Sequence, residues 1–322
     1  MKVAIDGTPL TVSTGGIARY TVQLHQALAA EFPDDRFELL PGQPGRWWSL
    51  GLRTALQRGS FALFHGTDFA VPYFPIVPAV MTLHDLSPWH KAWQGETSKR
   101  VRLRTPWLLR LGRVASVITP TEAIRREAIG HFRLDPDRVR AVPHGVDPSF
   151  QPQPSGDASM QPYLLTVGTH GARKNGQTAL AAARAAGIEL WVAGRGDWSP
   201  QPGLRILGAV PDHELPAIYA RAAAFLFPSH YEGFGLPLLE AMACGAPAIA
   251  SNDAALREVS GGAALHCEAG DVRAWAEAIA AARANRGELA SRGIARAAEF
   301  TWARTARLTR EVYQEALCLG AR

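Results

Sequence analysis

Short apolar runs alternate with amphipathic stretches from one end of the chain to the other, the pattern of parallel sheets assembled from strand-helix units. In the first half the runs predict strands at Val3–Ile5, Phe37–Leu40, Leu63–Phe64, Ala79–Leu83, Val117–Thr119 and Val139–Val142, with helices between them, as at Gly16–Glu31 and Glu122–His131. The pattern restarts with Tyr163–Val167, Leu190–Ala193, Leu204–Leu207, Ala224–Phe227 and Ala248–Ala250. The expectation is an α/β chain of two Rossmann-like domains. Between the halves, Pro148–Pro162 is rich in proline, serine and glycine and has no apolar periodicity, as befits a linker. The expected division is a first domain at 1–150, a linker at 151–162 and a second domain at 163–300. A last helical pattern, Trp302–Leu317 within 301–322, offers Trp302, Leu308, Val312, Tyr313 and Ala316 for one face.

Composition adds limits. A chain of 322 residues with 47% apolar content can bury one large core or two medium ones, and two domains of roughly 150 residues each are the expectation. No apolar run approaches the roughly 20 residues of a membrane-spanning helix, and the start reads as a strand, not a signal peptide, so the expected location is the cytoplasm. Cys244, Cys267 and Cys318 are scattered and form no CxxC, which argues against disulfides or a zinc knuckle. The net charge of +5 suits phosphate-bearing small molecules, anionic lipid or nucleic acid. No basic low-complexity tail or nucleic-acid motif accompanies it, so nucleic acid is not an expected partner.

The stretch richest in chemistry is FPSHYEGFGLPLLEAMACGA at 227–246. A buried strand ends at Phe227, and a loop carries Tyr231, Glu232, Gly233, Phe234 and Gly235. A helix then begins near Leu236 or Pro237, where proline is tolerated. Unpaired first-turn amides and the positive end of the helix dipole make such a corner a natural diphosphate site. Glu240, one turn in, would face the same mouth as Glu232, and the two carboxylates could hold hydroxyls of a ribose and a sugar. Acids that merely compensate a helix dipole are the alternative. In VGTHGARKNG at 167–176, Arg173 and Lys174 fall in a strand-to-helix loop with Asn175 as a candidate helix cap. That position is the carboxyl edge of a sheet, where α/β ligands bind; a solvated pair of cations is the other reading.

The first half offers a loop at 6–20 with Gly15 and Gly16 before a helix, able to present amides to an anion. It also offers TLHDLS at 82–87, where His84 and Asp85 close a strand and His84 is either a structural residue or a substrate contact. GRGDWS at 194–199 is a weak dinucleotide signal, because Trp198 and Pro200 spoil the helix opening. Asp135 and Asp137 formally match a DxD metal motif but read as turn-capping residues.

These residues resemble a known family. EGFGLPLLE, with seven residues between its glutamates, looks like the EX7E motif of the retaining GT-B glycosyltransferases of family four, a class that includes bacterial mannosyltransferases of surface polysaccharides. DGTPLTVSTGGIARYT, TLHDLSPW, VITPTEAIRREAI, VPHGVDPSF, VGTHGARKN, ELPAIYARA and PSHYEGFGLPLLEAMACGAPAIAS follow the family's order over essentially the whole chain. The resemblance implies an acceptor-binding first domain, a donor-binding second domain, a cleft between them and a C-terminal helix that returns to the first.

It further implies that Glu240 bonds the donor ribose, Glu232 a hydroxyl of the donor sugar, and Arg173 and Lys174 the diphosphate. The amides of Phe234, Gly235 and Leu236 would cover phosphate and sugar. His84 would lie near the sugar carbons, Gly15 and Gly16 would meet the phosphate, and Val210 would touch the base. The implied reaction moves a hexose, with GDP-mannose favoured, to a glycan or polyprenyl-diphosphate-linked acceptor with retention, and needs neither metal nor other cofactor. Two departures stand out: Thr169 follows Gly168 where many members carry arginine, a variant associated with a VGT-type subgroup, and His144 replaces the usual asparagine of VPNGVD.

A GT-B phosphorylase or sucrose-synthase-like enzyme would reuse much of the same site. A nucleotide-cofactor oxidoreductase lacks its fingerprint here, and a non-enzymatic nucleotide-sugar sensor would have little use for His84 beside both acids. Separately, Lys99, Arg100, Arg102, Arg104, Arg110 and Arg113 accompany Val101, Leu103, Trp107, Leu108, Leu109 and Leu111, a basic amphipathic pattern suited to the inner face of an anionic membrane, with Trp47 and Trp48 as further anchors. An ordinary surface helix packed on its sheet is the other reading.

Overall fold

The computed structural model describes residues 1–12, 15–42, 47–93, 99–153, 161–168, 171–194, 196 and 198–320. The chain divides into two compact units, Met1–Gly145 with Thr301–Arg322, and Val146–Phe300. Among the described residues each unit holds a parallel six-stranded sheet.

In the first unit the strands are β1 (Lys2–Asp6), β2 (Arg36–Leu40), β3 (Leu63–Gly66), β4 (Ala79–Thr82), β5 (Ser116–Thr119) and β6 (Val139–Ala141), in the order β2-β1-β3-β4-β5-β6. The four inner strands read as apolar runs because helices cover them and leave no polar face to alternate, while the edge strands β2 and β6 expose Arg36, Glu38 and Arg140. The helix Gly16–Glu31 buries Ala18, Tyr20, Thr21, Leu24 and Leu28, the one-face spacing its sequence carries. The helix Trp302–Gly320 lies on Gly16–Glu31 and reaches β4 and β5. It buries Trp302, Ala306, Val312, Tyr313 and Ala316, while Leu308 packs at the margin of the same core. Asp135 accepts the amide of Asp137 at 3.0 Å and caps a single 3-10 turn, Pro136–Arg138, before β6.

In the second unit the strands are β7 (Tyr163–Val167), β8 (Glu189–Ala193), β9 (Leu204–Gly208), β10 (Ala224–Phe227), β11 (Ala248–Ser251) and β12 (Leu265–Cys267), in the order β12-β11-β10-β7-β8-β9. This is the doubly wound Rossmann order, whose connections reverse direction between β7 and β10. Successive residues of each strand feed opposite layers. Leu165, Phe225 and Phe227 join one core, and Leu164, Ala224 and Leu226 the other. The sequence reading missed β12 because its three residues, Leu265, His266 and Cys267, form no apolar run.

The units meet in sequence at Gly145 and Val146, ahead of the division expected at 150. Gly145 is pinned in the first unit, where a Cβ would come within 2.3 Å of the Trp302 nitrogen. Val146 donates to the Phe300 carbonyl at 3.0 Å, and Phe150 is buried in a core of the second unit. The start of the proline-rich stretch is thus part of that unit; residues 154–160 of the expected linker lie outside the described residues.

Candidate functional site

In the second unit the loops after β7 and β10 both leave the carboxyl edge of the sheet at the strands where its winding reverses, the position at which open α/β sheets bind ligands. They carry the charged residues singled out from sequence. The Lys174 ammonium lies 2.6 Å from Glu232 Oε1, and the Arg173 guanidinium 3.7 Å from Oε2. Bonds to backbone carbonyls fix the two loops together: the Arg173 guanidinium donates to the Tyr231 carbonyl at 2.9 Å, and the His230 amide to the Arg173 carbonyl at 2.8 Å. Lys174 also sits over the ring of Phe227, 5.6 Å from its centroid.

Glu232 is buried, which on its own would raise its pKa, but Lys174 and then Arg173 outweigh that cost and hold the carboxyl below its ordinary range. Beside it, Asp253 caps the helix Ala254–Ser260 through the amides of Ala255 and Leu256. Burial raises the Asp253 pKa to about 6, with the Glu232 charge adding to the rise.

Asn175 stands at the helix boundary, as expected, but its side chain does not cap the helix Gly176–Ala185. Its amide nitrogen instead donates to the carbonyls of Pro228 and Ala269 at 3.1 and 2.7 Å, tying the β7 loop to its neighbours. Thr169 lies outside the described residues.

The helix Leu236–Ala243 starts with a proline in its first turn. Gly235 precedes it with φ near +90°, and a Cβ there would come within 2.5 Å of Leu256. Only glycine fits that position without strain. Phe234 is buried edge-on against Phe300, with ring centroids 5.8 Å apart, so its backbone is presented while its side chain anchors the loop. Glu240 is also buried and accepts a hydrogen bond from the Tyr219 hydroxyl at 3.0 Å, a partner from the helix Leu215–Arg221. Val210 is partly buried against the core beyond β9.

In the first unit His84 follows β4 and its Nε2 donates to the Thr67 carbonyl at 2.7 Å, which leaves Nδ1 as the acceptor nitrogen of a neutral ring. Burial lowers its pKa and favours that neutral form. His84 packs in a ring cluster with Tyr20 at 4.9 Å and His144 at 5.7 Å; His144 in turn lies parallel to Trp302. The residue that departs from the family's asparagine thus packs among the rings of the first unit. Asp85 is occupied in holding the amide and hydroxyl of Ser87 at 2.8 and 2.7 Å. Gly15 and Gly16 are exposed at the start of the helix Gly16–Glu31, and a Cβ on Gly16 would meet nothing within 4 Å.

Sequence reasoning missed several buried polar groups in this unit. His65, in β3, bonds the Tyr313 hydroxyl at 2.7 Å and the Thr82 hydroxyl at 2.8 Å, and Thr82 bonds the Tyr20 hydroxyl at 3.1 Å. Burial takes His65 down to about 3. Asp6, at the end of β1, and Asp68, just past β3, are raised to about 6 and about 7 by burial, with the Asp6 charge adding to the rise at Asp68. Asp68 Oδ1 has no hydrogen-bond partner among the described residues. A lone aspartate in FHGTDF carries no sequence signal of this kind.

Comparison with known proteins follows the same division. Residues 31–150 match the family model described as Glycosyltransferase Family 4, and residues 149–300 the one described as Glycosyl transferases group 1. The chain is 30% identical to the Escherichia coli O-antigen chain mannosyltransferase B over 94% of this chain and 96% of that protein. Among solved structures, sucrose-phosphate synthase from Thermosynechococcus elongatus superposes with a TM-score of 0.79 at 21% identity, covering 98% of both chains. Anabaena HepE in complex with UDP-glucose gives 0.73 at 17% identity, covering 98% of this chain and 99% of that one. With two Rossmann-like units and a family-wide match along the chain, this protein belongs to the GT-B glycosyltransferases of family four.

Proposed function

We propose that this glycosyltransferase is a metal-independent, retaining hexosyltransferase that takes its sugar from a nucleoside diphosphate, with GDP-mannose the favoured donor. The observation that carries the reading is the pairing of Lys174 and Arg173 with the buried Glu232 at the edge where the second sheet reverses its winding. In this reading Arg173 and Lys174 bind the donor diphosphate, together with the amides of Phe234, Gly235 and Leu236. A diphosphate that takes the Lys174 ammonium from Glu232 releases the Glu232 carboxylate to accept a hydroxyl of the donor sugar. Glu240 takes the ribose and Val210 the base, and His84 and the amides of Gly15 and Gly16 are the proposed further contacts of sugar and phosphate.

The bond between the anomeric carbon and the diphosphate oxygen breaks as the acceptor oxygen bonds that carbon from the same face, and the acceptor proton passes to the leaving diphosphate. The two cations offset the charge growing on the leaving group, a preorganised electrostatic contribution that replaces a metal ion. The acceptor is proposed to be a glycan, in keeping with the O-antigen chain in the name of the Escherichia coli relative, either free or linked to a polyprenyl diphosphate.

Thermal stabilisation by a panel of GDP-, UDP- and dTDP-sugars, followed by NMR of the product formed in the presence of EDTA, tests the proposal. Selective stabilisation by GDP-mannose and a product of unchanged anomeric configuration are expected. An inverted product sinks the retaining mechanism, and loss of turnover in EDTA sinks metal independence. Sugar phosphate released only when inorganic phosphate is added would instead favour the phosphorylase reading.

A further inference from the structure

We infer that the first unit carries a docking face for an anionic lipid bilayer, built on the helix Lys99–Arg110 and its continuation to Arg113. The helix buries Thr105, Leu108 and Leu109 against the unit and turns Leu103 and Trp107 outward, with Leu111 next in the same spacing. These three recur every fourth residue and so form one stripe, with roughly 6 Å of rise between successive members. Leu103 is 76% exposed, the most of any large apolar residue described.

Other exposed apolar groups gather around the stripe. The Tyr73 ring stands edge-on to Trp107, 6.3 Å away, and its hydroxyl accepts from Arg100 at 3.4 Å. The Tyr73 amide bonds the Trp48 carbonyl at 3.1 Å. These contacts bring the segments carrying exposed Phe74 and Leu50 alongside the helix. Ile76, Arg113 and the exposed Leu319 line one depression at its end. Of the nine exposed large apolar side chains among the described residues, three form the stripe and four more, Leu50, Phe74, Ile76 and Leu319, lie in the segments that these contacts bring near the helix or its end; Leu10 and Ile206 are the others. Single exposed leucines are ordinary, but a gathered patch marks an interaction surface.

The charge around the patch selects the occupant. Residues 99–113 hold six cations and no carboxylate, against a net charge of +5 for the whole chain, so the rest of the chain is close to neutral. A second copy docked through the same patch would bring like charges together, whereas anionic headgroups accept the cations while the acyl region takes the leucines and tryptophan. Arg104 is set apart from this role: its guanidinium turns inward, 5.3 Å over the Trp48 ring. The same contact, with the Trp48 ring edge-on to Phe64, removes Trp48 from the interfacial anchors that sequence suggested; the Trp47 side chain lies outside the described residues. The helix is tied to loops at the carboxyl edge of its sheet by Thr105 to the Phe69 carbonyl at 2.9 Å and by Trp89 to the Arg102 carbonyl at 3.1 Å. The inference does not depend on the proposed donor chemistry.

Vesicle flotation of the full chain tests it, using phosphatidylcholine vesicles with and without phosphatidylglycerol at low and high salt. Binding only to the anionic vesicles, weakened by salt, is expected. The Leu103→Ser, Trp107→Ser, Leu111→Ser triple variant should lose about tenfold in vesicle affinity with its thermal midpoint unchanged. The charge reversal Lys99→Glu with Arg100→Glu, which alters exposed side chains alone, should lose binding as well and stands in if the triple variant fails to fold. Absence of flotation, equal binding to both vesicle types, or full binding by the charge-reversal variant overturns the inference. So does a concentration-dependent dimer, without flotation, that the triple variant disrupts.

Discussion

At the carboxyl edge of the second sheet Lys174 and Arg173 are paired with a Glu232 that they keep ionised, while Asp253 beside it is raised to about 6. At the same edge of the first sheet burial drives the groups toward neutrality instead. His65 and His84 are pushed down, and Asp6 and Asp68 are pushed up. Both edges come from parallel strands that end in buried loops, so the scaffold does not dictate the electrostatics. What differs is the supply of counter-charge. The β7 loop delivers two cations next to one acid, whereas the inward-turned Arg104, whose charge favours ionised Asp68, is shared with Asp6.

The largest test of this contrast is catalytic. If fixed charge at the second edge drives leaving-group departure, Lys174→Ala lowers kcat about 10²–10³-fold, the usual cost of losing one preorganised donor to a developing charge. His84→Ala, which removes a neutral ring, should cost roughly tenfold or less by the same measure. Steady-state kinetics of both variants decides it. A His84→Ala defect larger than that of Lys174→Ala would place the dominant contribution at the neutral edge and break the comparison.

The two edges were unequally legible in sequence for the same reason. Arg173, Lys174, Glu232 and Glu240 sit in two short strings rich in loop and helix-start residues, and apolar runs on either side announce the strands. Their places at strand ends and in a helix were therefore readable, but the bond from Lys174 to Glu232 spans a separation of 58 residues and is set by the order in which β7 and β10 pair. The buried chain Tyr313–His65–Thr82–Tyr20 is less readable still. It joins four elements, and each member alone passes for an ordinary residue of its strand or helix. Periodicity reports which face a residue occupies, not which distant hydroxyl completes its hydrogen bonds.

A second test concerns pH and stability. Asp68 is raised from 3.8 to about 7, so the folded state keeps a proton that the unfolded chain has released. Its contribution is fully present below about pH 4 and is lost as pH rises through about 7. His65, lowered to about 3, acts with the opposite sign, costing stability as pH falls below 6.5, so the whole protein's profile mixes the two. Comparing wild type with Asp68→Asn cancels the histidines. The variant should gain on the order of 3 kcal/mol over wild type between pH 4 and pH 8, from about 1.4 kcal/mol per pKa unit less some loss to coupling with Asp6. Urea midpoints at the two pH values measure it; a difference that does not change with pH would mean Asp68 is not held protonated.

The smallest effects compare two glycines that open helices, one in each unit. Gly235 has φ near +90°, and a methyl on its Cα would stand 2.5 Å from the Leu256 side chain, so Gly235→Ala should cost about 1–2 kcal/mol from the left-handed conformation alone. Gly16 has open space around it and enters an ordinary helix, so Gly16→Ala should stabilise the chain by about 0.5–1 kcal/mol through the less flexible unfolded state. Thermal midpoints and kinetics of the pair separate conformational need from ligand need. If Gly16→Ala raises the midpoint and leaves donor affinity intact, the glycine is not required for backbone approach to phosphate. If it raises the midpoint while weakening donor binding, the methyl obstructs something the packing of the first unit does not itself exclude, and Gly16 belongs to the binding loop.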